Sequence, residues 1–160
     1  MAEFTMVALV FFMLIIGIIE FGRLLYTHNA LTDATRRGAR YAVLHSDAKT
    51  QCVQRVVVFG ESYVNPVTCA VSGSPSPLIN GLSEGNVSVT YEGADLDDDP
   101  ATPPNGYGMN LGSATVTIGG GNATRYRFTI NIPLFKQQFD MPIYSTTLTT
   151  ESAGTKPDDL

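Results

Sequence analysis

From Phe4 to Ile19 the chain carries no charged side chain, and its only hydroxyl there is Thr5. A helix that is apolar on every side must be buried on every side or lie in lipid. The first proline is Pro66, and the glycines before it, Gly17, Gly22 and Gly38, are isolated. The sequence therefore predicts one long helix from residue 2 to about 45, roughly 65 Å long at 1.5 Å per residue. Its character changes along its length. After Arg23 the helix turns amphipathic: Leu24, Leu31, Ala34, Gly38 and Ala42 recur at helical steps, while Arg23, Asp33, Arg36, Arg37 and Arg40 mostly take other faces. Residues 1–23 thus read as a projecting apolar stem, and residues 24–45 as an amphipathic half lying against a head made from residues 46–160.

The head alternates turns and short strands. DAKTQCVQRVVVFGES reads as a second helix, capped by Ser46 or Asp47 and ending near Gly60, with a strand over VVVF as the alternative. VNPVTC and VSGSPSPLINGLSEG are turn-rich. NVSVTYEG alternates as a strand, and ATVTI and ATRYRFTINI supply two more. GGGN, residues 119–122, lies between those two and predicts a hairpin. PLFKQQF reads as a helical turn or loop, YSTTLTTES as the last strand, and TKPDDL as an exposed tail. The expected fold is α+β: a lollipop with a long N-terminal helix and a small antiparallel sheet of about four strands.

Charge is divided unevenly. Residues 1–44 hold four basic and three acidic side chains; residues 45–160 hold six and twelve, so the net charge of −5 is the sum of +1 and −6, and the head is the acidic part. An acidic head is unsuited to nucleic acid, whose phosphates need a basic face. The acidic run DLDDD, residues 95–99, lacks the glycine and distal glutamate of a calcium loop and reads as solvated. Two histidines, His28 and His45, stand apart from the cysteines, so no zinc spacing is present. GxSxG, CxxC, HExxH and phosphate-loop motifs are all missing, which argues against an enzyme and against a cofactor. NVS and NAT match the glycosylation sequon at Asn86 and Asn122. The two cysteines, Cys52 and Cys69, are expected to close a disulfide in an oxidising compartment, worth ~3 kcal/mol in the chain-entropy model; two buried free thiols are the other reading.

The N-terminal run has four possible identities. A cleaved signal peptide needs a basic start, and the first basic residue here is Arg23. A core helix fails because a short β head cannot wrap a segment apolar all round. A single-pass anchor of about 20 residues fits the length. The positive-inside tendency would then put the arginines, and with them the disulfide-competent head, on the reducing side. The fourth identity is a helix that sits in a membrane first and packs among its own copies later.

The residues E-F at 3–4, the apolar run, and IIEFGRLLYTHNALTDATRRGARYAV at 18–43 resemble the TadE-like family of pilin-related proteins of tight-adherence secretion systems. The resemblance covers the helix alone. It implies a subunit of the type IV filament superfamily, held in the inner membrane and then polymerised into an extracellular pilus. It implies transient partners, an ATP-driven inner-membrane assembly machine and a prepilin peptidase that removes a short basic leader, and so makes Met1 the first processed residue. Type IV pilins in general place a glutamate at the fifth mature position; here it is third.

That reading gives the charged residues roles. Glu3 would neutralise the α-ammonium of Met1 on a neighbouring copy and set register, since a charge buried in low dielectric needs a partner; alternatively it only favours the helix dipole, worth under ~1 kcal/mol. Glu20 and Arg23 are three apart and can meet on one face, either within the chain where it leaves lipid or between subunits. Phe4, Val7, Val10, Phe11, Leu14, Ile15 and Ile18 would form the core of a helical homopolymer. A dozen such side chains carry on the order of 20–30 kcal/mol of burial as an upper estimate. Three functions follow from this: a major pilin for surface attachment, a minor pseudopilin that primes or caps another fibre, or a membrane-anchored binding module.

Overall fold

The computed structural model describes residues 2–44, 50–92, 113–132 and 135–149. One uninterrupted helix, α1 (Ala2–Leu44), runs through both the apolar stem and the amphipathic half. The change in residue pattern at Arg23 is therefore a change of surroundings with no break in the backbone. The head-facing stripe starts at Glu20 and continues through Thr27, Leu31, Ala34, Thr35, Gly38, Tyr41 and Ala42, all buried. Those spacings of three, four and seven keep one face of a 3.6-residue helix turned inward.

Helix α2 (Thr50–Phe59) packs across α1 and buries Cys52, Val53, Val56, Val57 and Val58. VVVF is thus helical, because its valines fill the space between α1 and the sheet. The proposed caps Ser46 and Asp47, the acidic run at residues 95–99 and the tail TKPDDL lie outside the described residues.

The strands are β1 (Val87–Glu92), β2 (Ser113–Ile118), β3 (Arg127–Ile132), β4 (Phe135–Asp140) and β5 (Tyr144–Thr149). They form an antiparallel sheet of order β1-β2-β5 and a separate β3–β4 pair. The larger sheet buries Val87, Ala114, Val116, Ile118 and Tyr144 against α1 and α2. Its other face carries serine and threonine in register, with Ser88 opposite Thr117 and Thr117 opposite Ser145. The Thr115 and Thr147 hydroxyls there lie 2.7 Å apart.

Two sequence expectations are corrected. GGGN does not join a hairpin, since both edges of β2 are taken, by β1 on one side and β5 on the other. Gly119 and Gly121 do adopt positive φ, +76° and +63°. A side chain at Gly120 would meet Thr117 and Ile143 within 3 Å. The turn therefore throws the chain out of the sheet, where Tyr126 donates to the Asn80 carbonyl at 2.6 Å and begins a second hairpin. The second correction concerns PLFKQQF: from Phe135 onward it is strand, in register with β3 as Phe128–Phe139 and Ile130–Gln137. Its Lys-Gln-Gln centre hides the alternation that pairs it. The head accordingly has five described strands in two sheets.

Asn86 holds the exit from the larger sheet together. Its Oδ1 accepts from the Ser83 amide at 2.9 Å and the Ser83 hydroxyl at 2.7 Å. Its Nδ2 donates to the Thr124 carbonyl and hydroxyl, both at 3.0 Å. The residue is buried, so in the folded chain its amide is not available as a glycosylation acceptor, whereas Asn122 of the second sequon is exposed. Asn86→Ala strands several buried polar groups at once. The expected cost is about 2 kcal/mol, seen as a lower midpoint in urea unfolding of the detergent-solubilised chain. An unchanged midpoint would show that water replaces the amide freely.

Candidate assembly surface

Among the described residues, no part of the head buries the apolar stem. Phe4 is 79% exposed and Leu14 60%, and Val7, Val10, Phe11, Ile15 and Ile18 are all exposed. None of the most apolar eighteen-residue window of α1 is buried within the molecule. Single exposed apolar residues are ordinary on proteins, but a continuous cylinder of them marks contact with lipid or protein. The helix is long and apolar enough to cross a membrane.

Glu3 lies in the first turn of α1 and is exposed. Acidic side chains there favour the positive end of the helix dipole. Met1, its expected partner on another copy, lies outside the described residues.

Glu20 and Arg23 meet within one chain. One guanidinium nitrogen donates to both carboxylate oxygens, at 2.7 and 2.8 Å. The two ends of the pair differ in setting. Glu20 is 9% exposed, while the Arg23 side chain remains nearly half exposed. The Arg23 guanidinium carbon sits 5.6 Å from the centre of the Phe128 ring, a cation–π geometry. Phe128 belongs to β3, so the second hairpin lies beside the helix at this level. Burial pushes the Tyr126 phenol above its ordinary pKa, and the nearby Arg23 charge pulls the other way. The pair therefore marks where the head begins to clasp the stem, a position that spacing alone could not place.

Residues 1–40 match the sequence profile of a family described as TadE-like protein. That N-terminal segment, a quarter of the chain, is similar to TadE-like proteins. The match spans the apolar stem and most of the amphipathic half, and ends before α2. It points to a protein associated with a tight-adherence pilus system. No curated protein and no solved structure matches the chain. The head that this TadE-like helix carries must be read from its own geometry.

In that head Cys52 and Cys69 are joined by a disulfide, with Cα atoms 4.7 Å apart. Arg55, one turn of α2 beyond Cys52, donates to the Cys69 carbonyl at 2.6 Å and to Glu84 Oε1 at 3.1 Å. Sequence reasoning overlooked Arg55; its place on the same helix turn as a cysteine was the available signal. Among the described residues no group of three histidine, cysteine, aspartate or glutamate side chains could hold a metal ion. The DLDDD run lies outside the described residues.

Proposed function

We propose that the chain is a structural subunit of a Tad-type pilus, assembling through α1 into a helical homopolymer used in surface attachment. The observation that carries this reading is the bare apolar stem on a folded, disulfide-bonded head. Such a stem is stable in lipid before assembly, with the head on the oxidising side, and among other stems afterwards. A staggered contact that does not close on itself propagates as a fibre. Phe4, Val7, Val10, Phe11, Leu14, Ile15 and Ile18 pack as the fibre core. Glu3 sets register against the α-ammonium of Met1 on a neighbour, and the heads coat the outside. The partners are other copies, an inner-membrane assembly machine and a prepilin peptidase. The chain catalyses nothing in this scheme and uses no cofactor.

Shearing cells and pelleting the released material at high speed tests the proposal. Abundant chain in the pellet supports the major subunit. A trace amount points to a minor pseudopilin in another fibre, and extraction only by detergent points to a membrane-anchored module. Glu3→Ala is expected to reduce pelleted fibre several-fold while leaving the amount in the membrane unchanged, because a lost interior charge pair costs about 3 kcal/mol or more when one partner stays behind. Equal fibre yield would leave Glu3 with no part in register.

A further inference from the structure

Glu3 and Arg23 bracket the apolar part of α1, twenty residues apart, and the one charged side chain between them, Glu20, is bonded to Arg23. At 1.5 Å per residue that separation is about 30 Å, the depth of a bilayer's hydrocarbon core. With Glu3 exposed at one boundary, Arg23 stands at the other, and no further helix is left to lift the head away from the lipid. Phe128 of β3 lies against Arg23 at that level, its ring centre 5.6 Å from the guanidinium carbon. The headgroup layer is roughly 5–7 Å deep on each side, so the β3–β4 hairpin starts within it. The hairpin goes no deeper. Lys136, Gln137, Gln138 and Asp140 of β4 are all exposed, and charged side chains and open strand edges are excluded from hydrocarbon.

Charge sets this hairpin apart from the rest of the head. Residues 113–149 hold three basic side chains, Arg125, Arg127 and Lys136, against the single acid Asp140; the remainder of the head holds three against eleven. Arg127 is paired with Asp140 at 3.1 Å. Arg125 and Lys136 are exposed and have no acidic partner among the described residues. Aromatic side chains flank them. Phe139 stands opposite Phe128 in register yet remains 46% exposed, and Tyr26, three residues past Arg23, is 73% exposed. Aromatic residues of this kind concentrate where membrane meets water. Phe139 and Lys136 take opposite faces of β4, because side chains alternate along a strand.

We propose that the β3–β4 hairpin is seated on the phospholipid headgroups of the membrane that the stem spans. Phe139 and Tyr26 lie at the boundary of the acyl chains, and Arg125 and Lys136 meet the lipid phosphates. Two constraints fix the occupant: the hairpin continues directly from the membrane-spanning length of α1, and its charge is opposite to that of the phosphates. The inference rests on the membrane-bound stage given under the proposed function and extends it from the stem to the head.

The chain has no tryptophan, so a single introduced one reports its own surroundings. Full-length Phe139→Trp, Thr147→Trp and Leu14→Trp chains are reconstituted into phosphatidylcholine–phosphatidylglycerol vesicles carrying a nitroxide either on the lipid headgroup or deep in the acyl chain. Thr147 is an exposed control: its neighbour Thr146 bonds to Thr35, about 18 Å past Arg23 along α1. The headgroup nitroxide is expected to quench the Phe139→Trp chain several-fold more than the Thr147→Trp chain. Equal quenching of the two, or stronger quenching of Phe139→Trp from the acyl chain, overturns the inference. Adding Arg125→Gln and Lys136→Gln to the Phe139→Trp chain is expected to cut headgroup quenching several-fold, since each basic residue near an anionic lipid surface is worth roughly fivefold in affinity. Unchanged quenching removes the phosphates as the partner. The Leu14→Trp chain tells the failures apart. Acyl-chain quenching at Leu14→Trp with none at Phe139→Trp keeps the stem in the membrane and removes the seat of the head. No quenching at Leu14→Trp removes the membrane-bound stage itself. Gln138→Trp, exposed on the same strand, takes the place of Phe139→Trp if that chain does not fold.

Discussion

Gly38→Ala is expected to destabilise the head, whereas Gly22→Ala is expected to stabilise the same helix. Both residues lie in α1, where alanine is normally better than glycine by about 1 kcal/mol. Their surroundings decide the sign. Nothing lies within 4 Å of a Cβ added at Gly22. At Gly38 that Cβ would collide with a Val57 methyl and press on a Val116 methyl at 3.3 Å. Val57 and Val116 are themselves fully buried, one on α2 and the other on the middle strand of the sheet. Neither can retreat without opening the core, and overpacking of this kind costs ~1–3 kcal/mol. The collision at Gly38 outweighs the gain in helix propensity. Gly38→Leu should cost at least ~3 kcal/mol for the same reason. Thermal melts in detergent, followed by near-ultraviolet dichroism of the head, read all three. A Gly38→Ala chain that melts higher than the parent would show that α1 does not approach α2 and β2 this closely.

The second large effect concerns the disulfide. Replacing both Cys52 and Cys69 by alanine should cost ~3 kcal/mol, since the bridge closes a loop of this size in the unfolded chain. That is roughly a hundredfold in the folding equilibrium. The loss has a local part, because Cys69 has φ +56°, a left-handed conformation that a residue with a Cβ adopts reluctantly. The bridge holds Cys69 there with help from the Cys69 amide bond to the Asn65 carbonyl, 2.9 Å, and from Arg55 on its carbonyl. Without the bridge, glycine should serve better than alanine at this position. Cys52→Ala with Cys69→Gly is therefore expected to recover about 1 kcal/mol of the loss. Urea midpoints of the two double variants measure the difference. If alanine and glycine behave alike, the left-handed turn does not survive reduction, and Arg55 contributes little to holding it.

The helix was readable because its signal is local. Leu31, Ala34, Gly38 and Ala42 repeat at intervals set by the helix itself, and each lies in the core. The strands NVSVTY, ATVTI and YSTTLT were readable for a similar reason, since alternation reports one buried face. Partner choice was not. GGGN has the backbone of a tight turn, but whether its flanking strands pair depends on β5, which arrives later and occupies the edge of β2. The setting of Glu20 was hidden in the same way. Its spacing to Arg23 announced the ion pair; that Glu20 is buried while Arg23 packs on Phe128, far along the chain, could be seen only in the fold.

Because α1 passes from stem to head without a joint, any pull along the stem reaches the head directly. The load is carried in shear by the buried stripe from Thr27 to Ala42, whose contacts must slip together, aided by the Thr35–Thr146 and His28–Tyr144 hydrogen bonds at 2.9 and 2.7 Å. A chain built this way acts as a stiff tether: the helix leaves the head only when the whole stripe gives way together.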